Sequence, residues 1–375
     1  MSSSAKVPGL ARAMVIEWRA RRIADPLCRL KYLRGVTGGG GGPFGRWARV
    51  ACGLAWLLIP LVPAREAVLA PAAVNLQTEP PPAVWLVESG ADHETYSNGL
   101  RIETRYAIET HHRAYGVFER GQTESDRWQP RTEPAGILYH ATESDLAPFA
   151  AEQNARLQRI DEAMLDYLRR RQSYNFVIDR FGRVYRVVAE SDAANHAGHS
   201  VWADARWVYC NLNAAFLGIA FEARTEAGHE AALEAAQIRA GRALTDMLRS
   251  RYRIPAEDCV THAQVSVNPG NRKIGFHTDW AARFPWAELG LANNYRLPVA
   301  AMLVFGFGYD EALVRASGGR AWAGLESAAE SVAEQAAGKN VSSAEWMRRL
   351  QKTYSRRMAA LHLSRAMEES SDGKE

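Results

Sequence analysis

Between residues 136 and 255 the chain switches repeatedly between two hydrophobic periods, and this alternation restricts the fold more than any other feature. Residues 136–140 (GILYH) are a short apolar run of strand type. Leu157, Ile160, Met164 and Leu168 then recur at helical spacing through a segment ending in Arg169, Arg170 and Arg171. Residues 174–178 and 184–188 are β-rich runs around the turn DRFG at 179–182, which predicts a hairpin. Residues 216–221 predict another strand. Ile238, Leu244, Met247 and Leu248 mark a second long helix, stopped ahead of Pro255. Strands and helices in this order predict an α/β fold with a central mixed sheet flanked by helices.

The flanks differ from this middle. Residues 84–121 read as strands, and 100–108 (LRIETRYAI) alternates apolar and polar residues after the turn Ser97-Asn98-Gly99. This predicts an N-terminal β extension. The adjacent His111 and His112 point to opposite faces of any strand, so they are a solvated pair and not metal ligands. Beyond residue 298 the chain turns helical. Asp310 can cap 311–316, residues 321–337 are rich in Ala and Glu, and Ser342-x-x-Glu345 is a capping box opening a helix toward Met367. The charged end, 368–375, is expected to fray.

Composition bears on partners and compartment. The 375 residues are 47% hydrophobic and 23% charged, which excludes a disordered, collagenous or coiled-coil chain. Residues 1–49 hold ten Lys/Arg against Glu17 and Asp25, a net of +8. The whole chain is only +4, so everything after the tail is net −4, which argues against nucleic acid as a partner. Residues 50–64 (VACGLAWLLIPLVPA) follow as an uncharged run, shorter than the roughly 20 residues of a spanning helix and interrupted by Pro60 and Pro63. Ala70-Pro71-Ala72 weakly resembles a cleavage site. The basic flank places the N-terminus in the cytoplasm and the rest outside. Export is the expectation, with 50–72 a signal or membrane-anchor segment and the body periplasmic or in the cell envelope. A Pro-rich spacer at 79–82 leads into that body. Four cysteines (Cys28, Cys52, Cys210, Cys259) are too few and too scattered for a disulfide scaffold, and a Cys210–Cys259 pair is left open.

Histidines carry the chemical signal. His140 closes the 136–140 strand, and His262 ends the short run CVTH. Asp279 lies 17 residues further on, in HTDW at 277–280. Two histidines and a carboxylate with an open fourth position make up a common catalytic zinc set. Such a site polarises an amide carbonyl and lowers the pKa of bound water to about 7.

Several segments occur in a fixed order across residues 131–290: YHATES (139–144), SYNFVIDRFGRVYR (173–186), NHAG (195–198), NLN (211–213), LGIAFE (217–222), TH (261–262) and RK…D…FPW (272–286). This series resembles the zinc N-acetylmuramoyl-L-alanine amidases and the similar peptidoglycan recognition proteins. The resemblance implies an amidase-like domain at 131–297, between a linker and β extension (73–130) and a helical C-terminal region (298–375). It implies Zn2+ held by His140, His262 and Asp279. Asp279 is preferred to His277 because its distance to FPW fits the family's closing segment, although the family's Pro-Gly is replaced here by Trp280-Ala281. His277 stands where many members place an oxyanion-stabilising lysine, and a protonated imidazole can supply the same hydrogen bond. Ala220 stands where many members carry a catalytic glutamate. Members without it use a tyrosine that matches Tyr174, and Glu222, two residues along the same strand face as Ala220, is a second candidate. His196 and Asn213 are expected to bind substrate. The implied reaction is cleavage of the bond between N-acetylmuramic acid and L-alanine in peptidoglycan or a muropeptide. The rival is a recognition module that binds peptidoglycan without cutting it.

Overall fold

The structure, a computed structural model, describes residues 81–122, 124–225 and 233–372. The basic tail and the 50–72 segment lie outside these residues, as do Cys28 and Cys52. Among the described residues no helix is long and apolar enough to cross a membrane.

Three strands come first: β1 (Leu86–Ser89), β2 (His93–Tyr96) and β3 (Arg101–Glu103). Next are β4 (Tyr115–Glu119), β5 (Trp128–Arg131) and β6 (Gly136–Ala141). A helix, α1 (Asn154–Arg171), leads to the hairpin β7 (Phe176–Ile178) and β8 (Val184–Arg186). Then come β9 (Trp202–Ala203), β10 (Trp207–Tyr209) and β11 (Phe216–Phe221), the helix α2 (Ala235–Tyr252), and β12 (Cys259–Thr261). The main sheet has eight strands in the order β1-β2-β3-β8-β7-β11-β6-β12, and β5-β4-β10-β9 form a second sheet. A short pair, β13 (Lys273–Ile274) and β14 (Gly308–Tyr309), runs parallel.

The sheet is mixed because its centre and its hairpins are wired differently. β7, β11, β6 and β12 run parallel, so their C-terminal ends share one edge, whereas β7–β8 and β1–β2–β3 are antiparallel. In open α/β sheets, ligands bind at that edge. Alternation along β6 sends Ile137, Tyr139 and Ala141 to the face covered by Leu244, Met247 and Leu248 of α2. Leu138 lies on the opposite face, in a core shared with Phe118, Phe216 and Val260. On that face Ala220 packs with Met164, Leu165 and Leu168 of α1. α2 starts at a reciprocal cap between Glu234 and Gln237 and stops at Arg253, left-handed with φ 55° just before Pro255.

The flanks are less separate than the sequence suggests. β1–β3 extend the central sheet itself, through the parallel pair β3–β8. The alternating stretch 100–108 keeps strand form only at Arg101–Glu103, because Ala107 N bonds to Thr104 O in a turn. After residue 298 the chain is helical, with α3 (Ala300–Phe305), α4 (Glu311–Ala316), α5 (Ala323–Gly338) and α6 (Ser343–Asp372). Asp310 does cap α4, through Ala312 N. Val299, Ala301, Phe305 and Leu325 share one core with Phe118, Trp202 and Phe216, so these helices complete the domain's interior. α6 continues five residues beyond Met367. Cys210 and Cys259 are both buried and free, and no disulfide joins them.

Candidate metal centre

His140 is the fifth residue of the six in β6, and His262 follows β12 directly, where the chain turns into a short helix (His262–Val265). Adjacent parallel strands thus bring two imidazoles to the same sheet edge. The loop from His262 doubles back through the bridges Ser200–Ser266 and Val267–Ile274 and returns Asp279 beneath them. One donor atom from each of His140, His262 and Asp279 lies within 4.8 Å of the others. The carboxylate is divided between the rings: Oδ1 is 2.9 Å from His262 Nδ1, and Oδ2 is 3.3 Å from His140 Nδ1. His262 Nε2 is buried without a partner among the described residues.

Burial, and then the charge of His262, lowers His140 to about 4, so its ring is neutral at pH 7. Burial alone would raise Asp279. The charge of His262, whose Nδ1 meets the carboxylate at 2.9 Å, outweighs it and holds the carboxyl well below its usual range. The carboxylate is therefore ionised beside the neutral ring of His140. Two imidazole nitrogens and a carboxylate oxygen are a donor set that zinc accepts. The residues fit a divalent metal.

The other sequence candidates divide. Tyr174 is at the site, its ring 5.0 Å from that of His140. Its backbone is left-handed (φ 60°), a costly conformation for an aromatic residue, and is pinned on both sides by Ser173 N–Leu168 O and Asn175 N–Gly218 O. Burial, and then the charge of Asp279, raises its phenol, which stays protonated at neutral pH. His277 lies flat against His262, ring centroids 4.6 Å apart, on the solvent side. Glu222 is not brought to this centre. β11 ends at Phe221, and the Glu222 carboxylate accepts from Arg180 N at 3.0 Å while Asp161 lies beside it. Asn213 spends its side-chain oxygen on the amides of His196 and Ala197, a staple of the chain and not an open groove contact. His196 lies behind His140, its Nδ1 3.1 Å from His140 Nε2.

Two features were not read from the sequence. Ser266 Oγ accepts from His277 N and donates to His277 O, which fixes that residue's backbone; a loop serine gives no signal of this. Gly218 had a signal, since a glycine inside a strand often marks a close approach.

The sequence profile of the N-acetylmuramoyl-L-alanine amidases matches residues 130–275, a span that includes His140 and His262 and ends before Asp279. Among solved structures the chain is similar to the E. coli N-acetylmuramyl-L-alanine amidase AmiD in complex with a substrate anhydro-N-acetylmuramic acid peptide. The two are 25% identical over 45% of this chain and 61% of that one, with a TM-score of 0.33. It is also similar to Pseudomonas aeruginosa AmpDh3 in complex with an anhydromuramic pentapeptide, 23% identical over 48% and 63%, with a TM-score of 0.33. A third is the Clostridium intestinale amidase LysC, 22% identical over 49% and 93%, with a TM-score of 0.26. The chain spans less than two thirds of the first two. No curated protein matches it. The profile match, over strands that carry both histidines, identifies residues 130–275 as a domain of the N-acetylmuramoyl-L-alanine amidase family.

Proposed function

We propose that this chain is a zinc-dependent peptidoglycan hydrolase that cleaves the amide between N-acetylmuramic acid and L-alanine. The observation that carries the reading is the convergence of His140, His262 and Asp279 at the C-terminal edge of the parallel strands in a domain of this family. Zinc held there would supply Lewis-acid polarisation of the scissile carbonyl and a water of lowered pKa.

The chain's own residues supply the remainder. His277 faces solvent beside His262, where a substrate oxygen would arrive, and its imidazole can hold or pass a proton there. The Tyr174 hydroxyl remains a donor at neutral pH, on a ring 5.0 Å from that of His140, and can orient water or the departing nitrogen. Glu222 takes no part, because its carboxylate is engaged by Arg180 and Asp161. We place the active domain outside the cytoplasm, in the periplasm or cell envelope; the support is the basic tail followed by the apolar 50–64 run.

Digestion of purified peptidoglycan by the full chain tests this, with products read by mass. Stem peptides beginning at L-alanine, freed from glycan, are expected. Binding to the wall with no such release would favour a recognition module instead.

A further inference from the structure

We infer that His196 is a positioning residue that fixes the tautomer of His140, so that His140 presents a bare Nδ1 toward His262 and Asp279, and that Gly218 is glycine to admit the His196 ring. The inference rests on the proposed metal site for its consequence, but its first part concerns only the protein.

The argument runs along one chain of hydrogen bonds. His196 Nε2 is 3.3 Å from Phe216 O, a carbonyl, which can only accept. His196 Nε2 therefore carries a hydrogen. No carboxylate among the described residues bonds to this buried ring, so it is neutral and its other nitrogen, Nδ1, is an acceptor. That nitrogen is 3.1 Å from His140 Nε2, which must then be the donor. A neutral His140 with its hydrogen on Nε2 has a lone pair on Nδ1, and Nδ1 is the nitrogen 3.3 Å from Asp279 Oδ2. Two acceptors then face each other with no proton between them, an arrangement that a cation would relieve. A ligating histidine commonly has its second nitrogen oriented by an outer partner in this way. Here the partner is another imidazole, itself anchored on a main-chain carbonyl.

Two neighbours hold the device in place. Asn213 Oδ1 accepts from His196 N at 2.9 Å and fixes the ring's starting point. A Cβ on Gly218 would lie 2.7 Å from His196 Cγ and 2.9 Å from Cδ2, so any side chain at that strand position would push the ring away from His140. This accounts for a glycine inside a buried strand, where it otherwise costs stability. Register places it directly: Gly218 pairs with Leu138, two residues before His140.

Nitrogen-15 NMR of the metal-free full chain in detergent tests the first step at neutral pH. The expected result is His140 with its hydrogen on Nε2. A hydrogen on Nδ1 in the wild type overturns the inference without reference to any variant. Zinc titration against a competing chelator tests the consequence. His196→Phe fills the space without the bond and is expected to weaken zinc binding by about 10–100-fold, and Gly218→Ala should do the same by displacing the ring. His196→Gln, whose carboxamide can accept from His140, should recover most of the affinity. Unchanged affinity in His196→Phe, with the His140 tautomer retained, would show that the ring only fills space. Failure of the wild type itself to bind zinc would instead count against the proposed function, leaving the tautomer result to decide on His196.

Discussion

Two buried polar clusters lie against the same sheet, and their charges are settled in opposite ways. In one, Asp161, Asp179 and Glu222 meet arginines from the β7–β8 turn. Arg183 reaches Asp179 at 2.5 Å and Asp161 at 2.7 Å, and Arg180 presents its amide to Glu222. Among the described residues Glu222 Oε2 accepts from Arg180 N, and Asp161 stands beside the carboxylate, which favours a proton between the two. In the other, His140, His262 and Asp279 turn three metal-ligating atoms toward one another, the carboxylate meeting both imidazoles. A cluster held closed by Arg183 and by protons on its raised carboxyls is architecture. A cluster whose lone pairs converge is complete only with something added, and the difference separates Asp279, expected as a ligand, from Glu222, expected as a second catalytic candidate.

The largest effect should come from opening the converging cluster. His140→Ala, His262→Ala or Asp279→Ala should each abolish metal content and activity, since three protein ligands are the minimum for such a site. Glu222→Ala should retain metal, and the reverse pattern would break the comparison. Next, His277→Ala should keep its zinc but lose on the order of 100–1000-fold in turnover, the usual cost of removing one oxyanion donor. Tyr174→Phe should also keep metal, with a smaller loss. If His277→Ala lost the metal and Asp279→Ala kept it, the third ligand would be misassigned.

Effects on the closed cluster should appear in stability alone. Breaking a fully buried ion pair costs about 3–5 kcal/mol. The Arg183 side chain is 40% exposed, so Arg183→Ala should cost less, about 2 kcal/mol, in denaturant unfolding with zinc binding unchanged. The smallest effect is a pH slope. Burial raises both Asp161 and Glu222, so the fold favours their protonated forms. The stability this contributes is full below the ordinary carboxylate pKa of about 4 and is lost as pH rises through the raised values. Melting temperature should therefore fall from about pH 5 to pH 8, and Glu222→Gln should flatten that slope.

Much of the fold was legible because it is written locally. The 216–221 strand, both long helices and the hairpin at 179–182 match their periodicities and turn residues. Pairings between distant segments were not legible. Nothing in residues 100–108 announces that Arg101–Glu103 lies parallel to Val184–Arg186, or that Thr104 begins a turn. The same limit applies at the site. His140, His262 and Asp279 could be named from short motifs, but the place of His196 depends on a carbonyl 20 residues away and on a bare position in the neighbouring strand. Glu222 does share the face of Ala220, toward α1, but it lies past the end of β11, where its carboxylate meets Arg180 and Asp161. Trp280 shows the converse. It occupies a left-handed turn at φ 57° beside Asp279, a conformation held by burial against Phe221 and Phe284 and by Tyr295, whose hydroxyl donates to its carbonyl.

The central claim is that the converging cluster is a zinc site and the closed one is not. Anomalous diffraction at the zinc edge, from crystals of the full chain grown with one equivalent of zinc, tests it most directly. The account predicts one strong peak bonded to His140 Nδ1, His262 Nδ1 and an Asp279 oxygen, at zinc–nitrogen distances of about 2.0–2.1 Å. A peak among Asp161, Asp179 and Glu222, or one at His277 without Asp279, would contradict it.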